Sequence, residues 1–167
     1  VHPIEQTQDL AEIAEVINDA ATAYRGVIPA DRWHVPYMPM EELRAEIAAG
    51  VQFRGIRRGG RLAGVMGLQQ VRDVSLIRHA YTRTAEQGSG IGSALLEHLK
   101  RQSDRRILVG TWKAATWAIR FYERRGFRVV SDEEKDRLLR RYWTVPGRQI
   151  EESAVLSLAE GAVAKAG

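Results

Sequence analysis

The chain contains no cysteine. That absence removes disulfide scaffolds, zinc ribbons, iron-sulfur clusters and cysteine nucleophiles together, and it fits a reducing compartment. Apolar runs fall far short of the ~18 residues that a membrane span requires. The opening VHPIEQTQD also lacks the apolar centre of a signal peptide. A cytoplasmic location with no membrane partner is therefore expected. His2, His34 and His98 are scattered without ligand spacing, so no metal is assigned. Neither sign of charge dominates: 25 Lys and Arg against 21 Asp and Glu leave +4, with a pI near 9.7. This mild excess suits nucleic acid or a pocket for a polyphosphate, and does not choose between them.

What is present is one domain's worth of chain. With 167 residues, 44% hydrophobic and 28% charged, it can bury roughly 70% of its unfolded surface without a staple. Residues 1–158 are expected to form a single domain, with 159–167 a small-residue tail that frays. Leu10, Ile13, Ile17, Ala20 and Tyr24 recur at helical spacing, which predicts a helix from Asp9 to Tyr24 with Asp9 as its cap. A long irregular loop follows from Gly26 to Pro39, carrying three prolines with Trp33 and Tyr37. Met40 to Ala49 reads as a helix stopped by Gly50.

From Val51 the texture turns to strands. VQFRGIR and RLAGVMGLQQV flank Gly59 and Gly60 and predict an antiparallel hairpin. VSLIRHAYT is a third strand, and RILVGTW suits a buried one. Ile91, Leu95, Leu96 and Leu99 mark the buried face of a helix, Ala115 to Arg125 another helix, and FRVVS and ESAVLSL two more strands. The segment DEEKDRLLRRYW predicts a helical turn or two. Together these imply an α/β (α+β) fold with a mixed sheet and helices on both faces.

QGSGIG, Gln87 to Gly92, falls where a strand passes into a helix. Glycine lets the main chain approach a phosphate, the helix dipole adds attraction, and Ser89 and Ser93 can donate hydroxyls. The same glycines would also serve a plain tight turn. The G-x-G-x-G spacing departs from the dinucleotide fingerprint, and no lysine follows for a P-loop.

Two segments in this order resemble the GNAT N-acetyltransferase family: AYTRTAEQGSGIGSALL (Ala80–Leu96) and WAIRFYERRGF (Trp117–Phe127). The resemblance spans about Glu5 to Leu158. It implies a mostly antiparallel twisted sheet with a parallel, splayed central strand pair, and acetyl-CoA as co-substrate. By that resemblance Gln87, Gly88, Ser89, Gly90, Ile91, Gly92 and Ser93 hold the pyrophosphate, with help from Arg83, Lys100 and Arg124. Tyr81 and Thr82 offer backbone contacts to the pantetheine, and an amide of that strand polarises the acetyl carbonyl. Tyr122 is the proton donor to the departing thiolate, against a packing role for both Phe121 and Tyr122. His79 is the candidate base, with a water relay to Glu86 as another route. Since side chains alternate along a strand, only one of Arg78 and His79 is expected to face the cleft.

Two positions depart from the family pattern: Ala115 stands where Asn is usual and Thr84 where Pro is frequent. The resemblance implies transfer of an acetyl group to a primary amine, in a small molecule or peptide, by direct attack in a ternary complex. It extends by analogy to a homodimer. The acceptor is expected against the long loop and the segment after Phe127, among Trp33, Tyr37, Trp112 and Trp143, with Asp31, Glu41 or Glu42 facing a cationic amine. Two alternatives are a nucleic-acid binder using residues 135–143 and a catalytically dead acyl-CoA sensor; no nucleic acid is expected, since Leu138, Leu139, Tyr142 and Trp143 fit one helical face and packing explains that segment more cheaply.

Overall fold

A computed structural model describes residues 2–145 and 147–159. Seven strands form one sheet in the order β1-β2-β3-β4-β5-β7-β6. They are β1 (Ile4–Thr7), β2 (Gln52–Arg58), β3 (Arg61–Val71), β4 (Val74–Thr82), β5 (Arg106–Trp112), β6 (Phe127–Val129) and β7 (Ser153–Leu158). Every pairing is antiparallel except β4 with β5. The β2–β3 hairpin turns at Gly59 and Gly60, both with positive φ, as a two-residue loop of right-handed twist requires.

The helices are α1 (Leu10–Ala20), α2 (Met40–Ala48), α3 (Ile91–Gln102), α4 (Thr116–Glu123), α5 (Asp132–Tyr142) and α6 (Gly147–Glu151). Asp9 caps α1, its carboxylate accepting from the Glu12 amide at 3.1 Å. The predicted extension to Tyr24 tightens into a 3-10 turn over Ala21–Tyr24. α5 runs 11 residues, longer than the turn or two expected, because Ser131 caps it and Leu138 and Leu139 bury against the sheet. No helix among the described residues is long and apolar enough to cross a membrane.

Strand alternation divides the core between two faces. Ile77, Val109 and Leu156 join Leu95 and Leu99 of α3 and Tyr122 of α4 on one face. Their neighbours Leu76, Leu108 and Val155 face the other way, against Leu138 and Leu139 of α5. A third cluster joins Ile13 and Ile17 of α1 and Leu43 of α2 to Phe53 and Val65. Of the tail expected to fray, Ala159 is held by its amide donating to the Gly126 carbonyl at 2.9 Å, and residues 160–167 lie outside the described residues.

Candidate active site

The parallel pair β4–β5 is the structural origin of the site. Its register runs from Val74↔Arg106 to Ile77↔Val109 and stops there. Beyond that point each strand pairs only with its outer neighbour: Arg78, Tyr81 and Thr82 with β3, and Gly110, Thr111 and Trp112 with β7. Two strand edges with unspent backbone groups thus diverge from a common vertex, a wedge suited to an extended ligand with amide groups.

A bulge sits just past the vertex. Val65 pairs with Tyr81 and Gly67 with Arg78, so His79 and Ala80 together oppose Met66. His79 adopts φ +55, a left-handed conformation uncommon outside glycine. The extra residue cancels the alternation that would separate Arg78 from His79. Both reach the same carboxylate: Arg78 donates to Glu46 Oε1 and Oε2 at 3.0 and 2.9 Å, and His79 Nε2 lies 2.8 Å from Glu46 Oε2. The expectation that only one of the two faces the cleft is therefore corrected, since both line it. Burial pushes the Glu46 carboxyl up, but the His79 hydrogen bond and the charges of His79 and Arg78 hold it below its ordinary value. An ionised Glu46 can only accept, so the neutral His79 ring carries its proton on Nε2 and leaves Nδ1 free.

At the other side of the wedge lies the glycine loop. Gly88 and Gly90 take φ +82 and +84, and a Cβ at either would meet nothing within 4 Å. The cradle is thus open, and its shape is one that L side chains rarely adopt. α3 starts at Ile91 with no side-chain cap and no acid in its first turn. Its leading amides keep their hydrogen-bonding capacity for an anion. Gly92 passes Phe121, whose ring would lie 3.4 Å from a Cβ there. The Ile91 side chain is buried, so only its amide can serve the loop. Ser89 gives its hydroxyl to the Glu86 carbonyl, while Ser93 accepts from Arg125 Nε at 3.2 Å and keeps its own proton to donate. Gln87 is exposed at the loop's edge. These features fit a diphosphate, and no acidic side chain in the first helical turn opposes one.

Of the three basic residues expected near the phosphates, two are engaged elsewhere. Arg83 is buried, donating to the Leu62 carbonyl and to Glu15. Lys100 is buried, donating to the Arg125 carbonyl at 2.6 Å and Glu97 at 3.0 Å. Arg124 is exposed. Arg125, which the motif did not single out, is the cation joined to the loop through Ser93, its guanidinium 4.0 Å above the Phe121 ring. Ala115 is buried at the start of α4 with no side-chain cap, so its departure from the family pattern has a structural counterpart. Glu86, the other route considered for a relay, ends a 3-10 turn ahead of the glycine loop and lies 3.8 Å from Arg58.

Tyr122 packs edge-on between Phe121 and Phe127, with ring centroids 5.1 and 5.4 Å away. Its hydroxyl makes no hydrogen bond among the described residues. Burial, and then the neighbouring Tyr24, push that hydroxyl far above its ordinary range. Tyr24 lies between the two sides of the site: its ring is 6.2 Å from Tyr81, 5.5 Å from Tyr37 and 5.9 Å from Trp117 of α4. Tyr81 is itself raised by burial and by Tyr24 and Tyr37.

A cavity of about 820 Å³ opens over the wedge, between the α1–α2 cluster and α5. Its walls include Tyr24, Tyr37, Glu46, His79, Trp112 and Trp143. Trp112 Nε1 donates to the Tyr37 hydroxyl at 3.0 Å, tying the long loop to β5. Trp143 stands against Gly110, where a Cβ would come within 3.4 Å of its ring. Of the acids expected near an amine, Asp31 is paired with Arg148, Glu41 is exposed, and Glu42 lines the cavity. The basic segment 135–143 does not form a stacking platform: Lys135, Leu138 and Leu139 are buried in α5, Arg141 lies 3.9 Å from Asp73, and Trp143 is cavity wall. Among the described residues no group of three His, Asp or Glu side chains could hold a metal ion.

Similarity to known proteins follows the same lines. An acetyltransferase (GNAT) domain model matches residues 13–141. No curated protein matches the chain. The fold is similar to a GNAT-family acetyltransferase from Staphylococcus aureus Mu50, with TM-score 0.69 and 18% identity over 95% of this chain and 100% of that one. It is similar also to PaiA N-acetyltransferase from Thermoplasma acidophilum in complex with coenzyme A, with TM-score 0.65 and 17% identity over 93% and 98%. A third is the ribosomal-protein-S18-alanine N-acetyltransferase from Escherichia coli, with TM-score 0.63 and 15% identity over 96% and 98%. At these identities the structures share the fold, and it is the domain match over most of the chain that makes this protein a member of the GNAT acetyltransferase family, an acyltransferase whose donor is acetyl-CoA.

Proposed function

We propose that the protein transfers an acetyl group to a primary amine by direct attack while both substrates are bound. The observation that carries this reading is the coincidence of two features at one place: strand edges left unpaired beyond Ile77 and Val109, and a cradle of amides at the start of α3. Acetyl-CoA supplies an activated thioester. The amides of Gln87 to Ser93 bind its diphosphate, with Arg125 acting through Ser93. Tyr81 and Thr82 present main-chain groups to the pantetheine, and an amide of this strand donates to the acetyl oxygen as charge develops there.

The proton steps fall to two side chains. His79, oriented by Glu46, accepts a proton from the attacking nitrogen at Nδ1. As the carbon-nitrogen bond forms and the carbon-sulfur bond breaks, the Tyr122 hydroxyl gives its proton to sulfur. Solvent returns a proton to Tyr122 and takes the one on His79, so the protein is unchanged and one amide and one thiol leave. The Tyr122 hydroxyl is protonated at working pH, as an acid must be, and the desolvation that raises it also makes the departing thiolate more basic. Glu46 keeps the imidazole in one tautomer and orientation, a positioning role. A protein without cysteine is at home in a reducing compartment, which agrees with a cytoplasmic site of action.

The test has two stages. Coenzyme A at a hundred times its Kd should add about 2.7 kcal/mol of stability, or roughly 5–10 °C in Tm for a chain of this size. Release of free thiol from acetyl-CoA, followed across a panel of primary amines, should then be acceptor-dependent. No protection at millimolar coenzyme A would refute the cofactor site.

A further inference from the structure

The cavity wall holds two arginines in opposite circumstances. Arg78 is fully engaged, with Glu46 on one amino group and Gln69 Oε1 at 2.8 Å on another. Arg32 forms no side-chain hydrogen bond and no ion pair among the described residues, and its Nε is shielded from solvent without a partner. A guanidinium N–H removed from water and left unbonded is costly, and an anion at that fork relieves the cost.

The backbone that carries Arg32 is held in place. Its amide donates to the Pro29 carbonyl at 2.9 Å within a 3-10 turn. Asp31 beside it is clamped by Arg148, which also reaches Glu152 at 3.5 Å. On its other side Trp33 stacks on Tyr37 at 5.9 Å. The cavity's own acids do not answer it: Glu46 is taken by Arg78 and His79, and Glu42 is exposed and forms no ion pair among the described residues. A partnerless guanidinium on a held backbone, at the wall of an aromatic-lined cavity, calls for a carboxylate, which matches its planar fork.

We infer that the acceptor carries a carboxylate as well as its amine, and that Arg32 binds that carboxylate while the amine is presented to His79. The substrate class is thus a free amino acid or a similar amino carboxylate, its body lying between the aromatic walls. This rests on the transferase reading above.

The test uses matched pairs: phenylalanine, methionine and 4-aminobutyrate, each against its carboxamide. The α-amino amides are less basic and hold more neutral amine, so for those pairs a preference for the acid runs against intrinsic reactivity. The wild-type protein should favour the carboxylates about ten- to a hundredfold in kcat/KM, mainly through KM. Arg32→Gln should erase the preference and Arg32→Lys restore part of it, with coenzyme A protection unchanged in both. Equal use of acids and amides, or an equal loss on both in Arg32→Gln, overturns the inference and leaves acetyl transfer standing. Turnover of no panel member overturns it too. If uncharged amines elsewhere still release thiol, the transferase reading survives; if coenzyme A gives no protection, both fall.

Discussion

Replacing Tyr122 with Phe separates chemistry from packing. The ring is 4% exposed and makes edge-on contacts with Phe121 and Phe127, all of which phenylalanine keeps. The hydroxyl has no hydrogen-bond partner among the described residues, so deleting it strands no donor or acceptor. The stability change should stay within about 1 kcal/mol, at most roughly 2–4 °C in Tm for a chain of this size. A positioned general acid contributes about 10²- to 10⁴-fold, or roughly 3–5 kcal/mol of barrier. The two effects differ enough in size to be told apart in one variant. Steady-state thiol release should show kcat falling at least a hundredfold, with KM for acetyl-CoA and the coenzyme A protection almost unchanged. Because burial and Tyr24 hold the hydroxyl well above its usual range, wild-type kcat should show no alkaline fall from this group below about pH 9. A Tyr122→Phe protein that retains kcat within a few fold refutes the acid role and returns Tyr122 to the core.

Gly90→Ala should cost about 1–2 kcal/mol from its φ of +84 alone, since its Cβ has open space, and thermal melts of the free protein will read this. Gly92→Ala should leave the free protein within about 1 kcal/mol yet weaken coenzyme A protection, because its Cβ meets the Phe121 ring at 3.4 Å and Thr82 Oγ1 at 3.8 Å and any give there shifts the first turn of α3 that carries the amides. Glu46→Gln should lower kcat about tenfold or more with coenzyme A protection unchanged, because an amide can present either a donor or an acceptor to Nε2 and no longer fixes the ring in one tautomer; an unaltered kcat would deny the positioning role. Glu46 and Glu12 both sit below their ordinary value of 4.5 when folded, Glu12 through the Leu62 amide and then Arg57. The folded state therefore binds fewer protons than the unfolded one, and the stability they add is present above about pH 4.5 and lost as pH falls through their folded values. Melts between neutral and acid pH should show a shallower loss in Glu46→Gln and Glu12→Gln than in the wild type.

What was legible in the sequence was local. The glycine loop, the F-Y-E helix and the Gly-Gly hairpin are set by conformations that a few adjacent residues decide, and each appears where its residues stand. Leu95, Leu96 and Leu99 announce a buried helix face by period alone. What escaped depends on distant partners. β1 is only four residues with one buried side chain, and its strand character comes from pairing with β2. Glu46 looks like any acid on an amphipathic helix until β4 brings Arg78 and His79 to it, 32 and 33 residues away. Arg83 and Lys100 look like phosphate ligands by charge, whereas both side chains are buried and donate to main-chain carbonyls, of Leu62 and Arg125. Arg32 carries no sequence signal at all, since what marks it is the absence of a partner.

The bulge at His79 decides how the site is aimed. Strict alternation would send Arg78 and His79 to opposite faces, and one inserted residue brings them together on Glu46. A bulge also sharpens the local twist, and β4 leaves β5 immediately before it, at Ile77. The register recovers by Tyr81 and Thr82, so the strand again pairs with β3 as it approaches the glycine loop. A non-glycine residue at φ +55 costs of order 1–3 kcal/mol, which the His79 bond to Glu46, beside the two from Arg78, helps offset. This gives histidine a reason to be there beyond shape, and the reason is testable with two variants. His79→Ala and His79→Gly both remove the imidazole, but only glycine relieves the backbone. The glycine variant should melt higher than the alanine variant by about 1–2 kcal/mol, while both lose acceptor-dependent turnover. Free imidazole should restore part of that turnover in the glycine variant, where the space is open. If His79→Gly instead retains full turnover, the residue serves the bulge and not the proton, and the base must be sought elsewhere in the cavity.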